Sequence, residues 1–388
     1  MATQVTKTLQ EINARIEKGK AVVLNAREMS KLVRSEGKVK AAKEVDVVTT
    51  GTFSPMCSSG MVFNIGQQPP TMKVSRMWLN GVPVHCGLAA VDAFLGATEP
   101  AEDDPLNKVY PGQFKYGGGH VIEDLIRGKT VHMKAEAYGT DCYPRTALEK
   151  DVTLSSFKNC WMFNPRNAYQ NYNCAVNLTS RTKYTYMGPL KPNLGNANFA
   201  TAGELSPLFN DPYFRTIGLG TRIFLGGSVG YVLGSGTQHN PKPSRNERGI
   251  PLTPSGTLMV KGEMAGMDPR FARGVSIVGY GCSLSVGLGI PIPVLNEDIA
   301  WYTGVSNSEI HMPIVDYGHD YPQGVGRILQ HASFEELLGG EIQVNGKSVP
   351  TVPVTSATYS LEVADTLKSW IEKGEFLLTE PQEKICSE

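Results

Sequence analysis

Segments with helical periodicity alternate with strand-like runs through the first part of the chain, and this alternation restricts the fold more than any other feature. Residues 6–18 place apolar side chains at helical spacing, and 21–24 (AVVL) form a short strand-like run. Asn25 and Glu28 then have the spacing of a capping box at the start of a second helix. The β-branched run 45–53 (VDVVTTGTF) predicts the next strand. This pattern predicts an α/β fold with a mixed, largely parallel sheet flanked by helices.

The alternation returns later in the chain. Residues 120–127 predict a helix that ends at Gly128, and 130–139 predict the strand after it. Between residues 218 and 289, glycine is dense between short apolar runs, which is typical of buried strands that approach other backbone closely. We expect one large catalytic domain. The polar, Pro-rich segment 237–256 is predicted to be a surface loop or lid, and it is the best place for a break between two lobes.

Charge and cysteine content restrict the classes of partner. Lys plus Arg and Asp plus Glu both number 37, so no net field attracts nucleic acid or an anionic membrane. The N-terminus lacks the apolar core of a signal peptide, and no run of about 18 apolar residues follows it. Seven cysteines, an odd number, favour reduced thiols over a secreted disulfide framework. We expect a cytoplasmic protein without nucleic-acid or membrane partners, and self-association remains open.

Common nucleotide and metal motifs are absent from the sequence. It contains neither a G-x-G-x-x-G fingerprint nor a G-x-x-x-x-G-K-[ST] loop, so nucleotide binding through such loops is not expected. It also lacks C-x-x-C and H-E-x-x-H, which argues against a zinc site built from one segment. What remains is a set of polar residues that are far apart in the sequence.

Cys57 is the first candidate for chemistry. It is followed by Ser58, Ser59 and Gly60, small residues that let backbone approach a ligand closely, so both serines are candidate substrate-binding residues. The loop is expected to lead into a helix, whose free N–H groups would favour the reactive thiolate. The alternative is a small buried side chain, since cysteine is among the most buried residue types. The small neighbours favour the chemical interpretation.

Cys142 has a similar position after the strand predicted at 130–139. Pro144 fixes the backbone nearby and Arg145 supplies a cation close to the sulfur, although a simple turn with a solvated charge has the same pattern. Both Cys57 and Cys142 follow predicted strands. In an open parallel sheet the carboxyl ends of strands form the ligand-binding edge, so the two thiols are expected to meet there.

Four further residues are weaker candidates. Cys282 lies among apolar residues and glycines (GYGCSLSVG), which favours a core position over a functional one. His120 precedes a predicted helix and could donate protons or cap the helix. Arg166 and Arg181 lie in segments rich in amides, a combination that suits a carboxylate, while a solvated surface arginine is the ordinary alternative for each. Together with Arg145, they are the candidates for binding a substrate carboxylate, and Arg145 and Arg166 come first.

Eight stretches of the sequence together resemble the homocysteine biosynthesis family, the L-aspartate semialdehyde sulfurtransferases of sulfate reducers and methanogens. The resemblance extends from about Glu11 to Pro381. The stretches are GTFSPMCSSG, LAAVDAFLGATEP, GGGHVIEDLIRGK, AEAYGTDCYPR, YTYMG, GELSPLFNDP, GTRIFLGGSVGYVLGSGTQHNP and GIPIPVLNEDIA. The combination of cysteine motifs is specific to the family.

The resemblance implies that L-aspartate semialdehyde and a reduced sulfur source are converted to L-homocysteine. It implies that Cys57 and Cys142 match the two cysteines regarded as essential in the family, and that a small ferredoxin-like iron–sulfur protein is a partner. Methanogen members commonly carry two C-terminal CBS modules. This sequence ends soon after its last predicted helix, so regulation through CBS modules is not expected.

Two catalytic mechanisms and one non-catalytic role are compatible with these residues. Conversion of an aldehyde and sulfide to a thiol needs two electrons, and the sequence has no evident flavin or nicotinamide fingerprint, so an external iron–sulfur donor is expected. In the preferred route, Cys57 carries a persulfide that attacks the aldehyde and Cys142 resolves the S–S bond. Alternatively, Cys57, Cys142 and Cys282 hold an iron–sulfur cluster that binds sulfide. A non-catalytic sulfur carrier or assembly scaffold is the third interpretation.

Overall fold

A computed structural model describes residues 5–66, 68–168, 172–319 and 326–385. The last cysteine, Cys386, lies outside the described residues. Within these ranges the chain forms eight α-helices, which are α1 (Leu9–Glu17), α2 (Ala26–Glu36), α3 (Lys38–Glu44), α4 (Gly118–Ile126), α5 (Pro207–Asn210), α6 (Glu297–Thr303), α7 (Phe334–Leu338) and α8 (Ala357–Glu372).

Strands outnumber helices in the described part of the chain. They are β1 (Val23–Asn25), β2 (Val47–Thr49), β3 (Thr52–Pro55), β4 (Gly60–Asn64), β5 (Arg76–Leu79), β6 (Val82–Cys86), β7 (Asp92–Gly96), β8 (Val131–Glu136), β9 (Ala147–Val152), β10 (Lys158–Ala168), β11 (Asn173–Val176), β12 (Lys183–Thr185), β13 (Gly188–Leu190), β14 (Ala197–Ala200), β15 (Gly218–Leu219), β16 (Arg222–Leu225), β17 (Ser228–Ser235), β18 (Leu258–Glu263), β19 (Ala272–Ile277), β20 (Gly281–Gly289), β21 (Pro291–Pro293), β22 (His311–Asp316), β23 (Arg327–Ser333), β24 (Glu341–Val344), β25 (Lys347–Pro353) and β26 (Glu383–Lys384).

The largest sheet has thirteen strands and is antiparallel at every pairing. Its order is β19-β20-β16-β17-β18-β10-β4-β7-β6-β5-β8-β9, and β3 also pairs with β20. Five of these strands, β16–β20, come from the glycine-dense region, so the prediction of strands there is confirmed, although β20 is buried along its whole length and β17 and β19 are only partly buried. The segment 237–256 connects β17 to β18, which are neighbours in this sheet.

Parallel pairing is confined to the smaller sheets. A six-stranded sheet has the order β23-β22-β11-β14-β25-β24, with parallel pairs β11–β22 and β14–β25. A three-stranded sheet joins β1 to β2 in parallel and β2 to β21 antiparallel. The chain is therefore a mixed α/β protein with helices against its sheets, as expected, but the prediction of a largely parallel sheet was wrong.

Short turns explain the antiparallel architecture. Asn80 and Gly81 connect β5 to β6 with φ values of 49° and 75°, and Asn345 and Gly346 connect β24 to β25 with 52° and 75°. Two consecutive residues with positive φ form the tight turn that fits the twist of an antiparallel hairpin, and Asn-Gly is its usual sequence. These two dipeptides are the signal in the sequence that opposes parallel strands.

Close backbone packing also divides the predicted strand 45–53. At Gly51 an added Cβ would lie 2.1 Å from the carbonyl oxygen of Ser360 in α8, so only glycine fits. The chain turns there, and β2 and β3 enter different sheets. The capping box is confirmed, because the Asn25 side chain accepts from the Glu28 N–H at 2.9 Å and the Glu28 carboxylate accepts from the Asn25 N–H at 2.8 Å.

Helix α4 packs against the large sheet and positions the site described below. Its apolar side chains Val121, Ile122 and Leu125 are fully buried. Its N-terminus lies directly against β20, because a Cβ on Gly119 would lie 2.0 Å from the Ser283 carbonyl oxygen. No helix in the described part of the chain has both the length and the apolar character needed to span a bilayer.

Candidate active site

A polar cleft of about 370 Å³ lies between the large sheet and the six-stranded sheet. Strand β3 and the turn after it supply one wall, β10 supplies another, and residues at the ends of β11, β14 and β25 close it from the smaller sheet. The lining residues are Ser54, Pro55, Cys57, Ser58, Arg166, Asn167, Asn173, Tyr186, Met187, Ala200, Gln238, Tyr280 and Val354. A cleft of this size suits a small polar substrate.

Cys57 is half-buried in the cleft, in the turn between β3 and β4. A hydrogen bond from the Ser59 N–H to the Met56 carbonyl oxygen, 2.9 Å long, closes the turn. The fully buried Ser283 hydroxyl donates to the Cys57 sulfur at 3.2 Å. The expected helix after Cys57 is wrong, because strand β4 follows and pairs with β7 and β10. Ser283 therefore supplies a donor to the sulfur from a distant part of the sequence.

The two serines after Cys57 have different environments. Ser58 lines the cleft beside the thiol. Ser59 is buried, and its hydroxyl accepts a hydrogen bond from the Asn164 side-chain amide at 3.2 Å, while its carbonyl oxygen accepts from the Ala97 N–H. Within the described residues, Ser58 is the one placed for direct contact with a ligand, whereas Ser59 holds the turn against its neighbours.

Arg166 supplies positive charge to the cleft. It lies near the end of β10, where the strand pairing with β18 is irregular, and its side chain is exposed. The Asn164 side chain accepts hydrogen bonds from the backbone N–H groups of Arg166 and Asn167, which fixes the local backbone. No Asp or Glu is among the described lining residues, and none of the described carboxylates pairs with this guanidinium. The cleft therefore has the charge that an anionic group requires.

Two tyrosines line the cleft, Tyr186 from the turn between β12 and β13 and Tyr280 from the turn before β20, and Tyr186 contacts a third, Tyr317. The Tyr186 and Tyr317 hydroxyl groups are 2.8 Å apart, and the Asn173 amide donates to the Tyr186 oxygen at 2.8 Å. Tyr280 packs near Tyr186 with ring centroids 6.3 Å apart. The sequence alone did not indicate these tyrosines, Gln238 or Ser283, because they are far apart in the sequence and come together only in the folded chain.

Cys142 lies in a different part of the molecule. It is exposed in the loop that connects β8 to β9, with its sulfur 3.6 Å from the Thr140 hydroxyl. The Thr71 hydroxyl donates to its carbonyl oxygen at 3.3 Å, and the Arg145 N–H donates to the Thr71 carbonyl oxygen at 3.1 Å. The loop is thus attached to residues near Thr71, and Arg145 lies with Cys142 and away from the cleft.

The register of the large sheet separates the two predicted thiols. Going from β4 to β8 crosses four antiparallel pairings through β7, β6 and β5, so β4 and β8 run in the same direction. Cys57 precedes β4, whereas Cys142 follows β8, and the two therefore leave the sheet at opposite ends. In addition, β4 and β8 are four strand spacings apart, which separates them by roughly 19 Å across the sheet. The expectation that they meet depended on parallel strands, and the structure does not bring them together.

The three thiols proposed as cluster ligands do not converge. Cys282 is buried in β20, next to Ser283, and adjacent residues of a strand point to opposite faces. Its sulfur lies 3.4 Å from the Phe114 carbonyl oxygen, and burial raises the pKa of its thiol to about 11. Within the described residues no three metal-ligating side chains are grouped to hold an ion. Cys57, Cys142 and Cys282 therefore do not fit an iron–sulfur cluster in this arrangement.

The remaining candidates lie outside the cleft lining. His120 is near the start of α4, its Nε2 lies 3.2 Å from the Ser276 hydroxyl, and burial lowers the pKa of its imidazole. Arg181 is exposed, and its carbonyl oxygen accepts from the side chains of Asn177 and Thr179. Roles for His120, Arg145 and Arg181 stay predictions, and among the predicted arginines only Arg166 lines the same cleft as Cys57.

Comparison with known proteins gives consistent matches along the chain. The family model described as "Homocysteine biosynthesis enzyme, sulfur-incorporation" matches residues 21–378. The L-aspartate semialdehyde sulfurtransferase of Methanocaldococcus jannaschii is 47% identical over 389 aligned residues, covering 97% of this chain and 72% of that protein. The protein of the same name from Methanosarcina acetivorans is 44% identical, covering 99% of this chain and 73% of its own length.

No solved structure matches the chain with significance. The sequence matches are nevertheless extensive, since the family model alone spans most of the residues that form the large sheet, the six-stranded sheet and the cleft. On this evidence the chain belongs to the homocysteine biosynthesis enzyme, sulfur-incorporation family.

Proposed function

We propose that this protein is an L-aspartate semialdehyde sulfurtransferase that forms L-homocysteine, with Cys57 as the residue that carries sulfur. The observation that supports the proposal best is the cleft, where a thiol and a cationic side chain face the same small polar space. The relatives with 44–47% identity carry the name of this activity. A cytoplasmic location is part of the proposal, and the six free thiols among the described cysteines suit a reducing compartment.

The lining of the cleft suits a small amino acid that carries an aldehyde. Arg166 binds the substrate carboxylate, because a guanidinium can donate two parallel hydrogen bonds to its oxygens. The substrate ammonium needs acceptors, and three residues with amide side chains, Asn167, Asn173 and Gln238, line the same space. Ser58 lies beside Cys57 and is available to the aldehyde oxygen. These contacts would place the aldehyde carbon near the sulfur.

The sulfur chemistry follows the persulfide route. The terminal sulfur of a Cys57 persulfide attacks the aldehyde carbon, and a proton goes to the aldehyde oxygen. Attack of the Cys142 thiolate on the Cys57 sulfur then breaks the S–S bond of the adduct and leaves a Cys57–Cys142 disulfide. The released hydroxy-thiol loses water, and two electrons and two protons reduce the resulting C=S bond to the thiol of homocysteine.

A second electron pair reopens the disulfide, so sulfur delivered as a persulfide needs four electrons in all. A ferredoxin-like iron–sulfur protein is the proposed donor. Resolution by Cys142 requires its exposed loop to move toward the cleft, or a second copy of the chain to supply the thiol. We favour this route over the cluster route, because the Cys282 sulfur faces the Phe114 carbonyl oxygen and not Cys57.

A sulfur carrier without catalytic activity would not need a site for the substrate carboxylate, and the placement of Arg166 beside Cys57 therefore favours an enzyme. The test is an anaerobic assay of homocysteine formation from L-aspartate semialdehyde, a persulfide donor and a low-potential reductant. We expect Cys57→Ser and Cys142→Ser to abolish product formation, and Cys86→Ser, which removes a half-buried thiol outside the cleft lining, to retain it. Wild-type protein that binds no aldehyde and forms no homocysteine would exclude the proposed function.

A further inference from the structure

The hydrogen bond between Ser283 and Cys57 links the middle of β20 to the cleft. Ser283 is fully buried, and its hydroxyl donates to the Cys57 sulfur at 3.2 Å. Because side chains alternate along a strand, Cys282 points to the other face, toward the carbonyl oxygens of Phe114 and Tyr116. Ser283 is thus the residue of this segment that faces the thiol of the proposed reaction.

Backbone contacts fix the position of the Ser283 hydroxyl. Strand β20 pairs with β19 on one side, where Val275 is opposite Ser283, and with β3 on the other, where Pro55 is opposite Ser285. The Met56 N–H donates to the Leu284 carbonyl oxygen at 2.8 Å, which attaches the turn containing Cys57 directly to β20. The donor and the sulfur are therefore held by the same local framework.

A buried hydroxyl that donates to sulfur favours the thiolate over the thiol, because the hydrogen bond is stronger to the charged form and little water competes for it. The thiolate is the nucleophilic form of cysteine. We infer that Ser283 is a positioning residue that holds the Cys57 sulfur in a reactive, correctly directed state at the cleft. This inference rests on the proposed role of Cys57, but the reactivity of the thiol can be measured without the sulfurtransfer reaction.

The experiment measures alkylation of Cys57 by iodoacetamide as a function of pH, with the modified peptide quantified by mass spectrometry. In Ser283→Ala we expect the profile to be displaced to alkylation rates roughly tenfold lower than those of the wild type. Ser285→Ala is the matched control, since Ser285 lies two residues along the same strand on the same face, and its profile should equal that of the wild type. Ser283→Thr retains a hydroxyl and should retain most of the reactivity.

An unchanged profile in folded Ser283→Ala would overturn the inference, and so would an equal displacement in Ser285→Ala. If Ser283→Ala does not fold, a Ser283→Thr profile displaced as far as expected for the alanine variant would overturn it. The two claims can also be separated. If the Ser283→Ala profile is displaced but the wild-type protein makes no homocysteine, the inference about Ser283 holds and the proposed function is excluded.

Discussion

Cys57 and Cys142 lie at opposite ends of one antiparallel sheet, since Cys57 precedes β4, Cys142 follows β8, and these strands run in the same direction. A disulfide requires Cα atoms roughly 4.4 to 6.8 Å apart. The two thiols therefore need a movement of the 137–146 loop, or a second copy of the chain, before they can react with each other.

This separation predicts when a Cys57–Cys142 disulfide can form. Mild oxidation of the resting protein should form little of the Cys57–Cys142 disulfide. Turnover with a persulfide donor and the aldehyde, but with limiting reductant, should make this disulfide accumulate. Peptide mapping under non-reducing conditions measures both states, and mixing Cys57→Ser with Cys142→Ser protein tests for a second copy, because activity returns only if the thiols act across chains. Absence of the disulfide after turnover would remove Cys142 as the resolving residue.

The position of Arg166 predicts a defect in substrate binding. Arg166→Lys should raise the KM for L-aspartate semialdehyde by about tenfold with a smaller change in kcat, because lysine cannot make the paired hydrogen bonds of a guanidinium. Arg181→Lys is the matched control, since Arg181 is exposed and is not among the described lining residues. An unchanged KM in Arg166→Lys, or an equal rise in Arg181→Lys, would contradict the assignment.

Burial of His120 predicts a dependence of stability on pH. Burial lowers the pKa of the imidazole, against the opposing effect of the nearby Glu123 and Asp124 carboxylates. The unfolded chain therefore binds a proton more readily, and the free energy of unfolding should fall as the pH drops through the ordinary histidine pKa of 6.5 toward the lower folded value. His120→Gln should lose less stability than the wild type on acidification, measured by urea unfolding.

His132 is the comparison for His120, because its pKa is changed in the opposite direction. Hydrogen bonds that its ring N–H groups donate to the Asp151 and Glu149 carboxylates raise its imidazole pKa, so its contribution to stability is present at low pH and is lost as the pH rises through that raised value. His132→Gln should therefore make the protein more sensitive to acid. Equal pH dependence in the wild type and both variants would contradict these assignments.

The capping box at Asn25 predicts a stability effect that depends on tertiary contact. Asn25→Ala should cost about 1 to 2 kcal/mol of unfolding free energy, because the side chain caps α2 and also donates to Asp365 of α8 at 2.7 Å. Thr8→Ala removes the corresponding cap of α1 at an exposed position and should cost less. Urea unfolding measures both variants. If Asn25→Ala and Thr8→Ala lose the same unfolding free energy, the contact between Asn25 and α8 does not contribute to stability.

Local features of this fold could be predicted from the sequence because the interacting residues are neighbours. The capping box joins residues three positions apart, and the glycine-dense segments form the strands expected of them. Strand direction is different, because it depends on which distant segments pair. The Asn80–Gly81 and Asn345–Gly346 turns were evidence for hairpins, and giving them more weight than the helix and strand alternation would have predicted the antiparallel sheets.

The site was predictable only in part for the same reason. Local sequence was enough to suggest Cys57, through its small neighbours, and Arg166, through the amides around it, and both line the cleft, while their roles stay predictions. Ser283 is 226 positions from Cys57 and Tyr317 is 131 positions from Tyr186, so no spacing rule relates them. The prediction that Cys57 and Cys142 lie close together assumed that their strands end at one edge of a parallel sheet. It was wrong because the strands of this sheet are antiparallel.

The most direct test of the central claim is to look for sulfur on Cys57. The protein is incubated anaerobically with a persulfide donor, and peptides are examined by mass spectrometry before and after L-aspartate semialdehyde and reductant are added. We predict that the Cys57 peptide gains the mass of one sulfur atom, and that this sulfur is lost as an equivalent amount of homocysteine forms. Homocysteine formation at the wild-type rate by Cys57→Ser protein, or a Cys57 persulfide that the aldehyde does not discharge, would contradict the account.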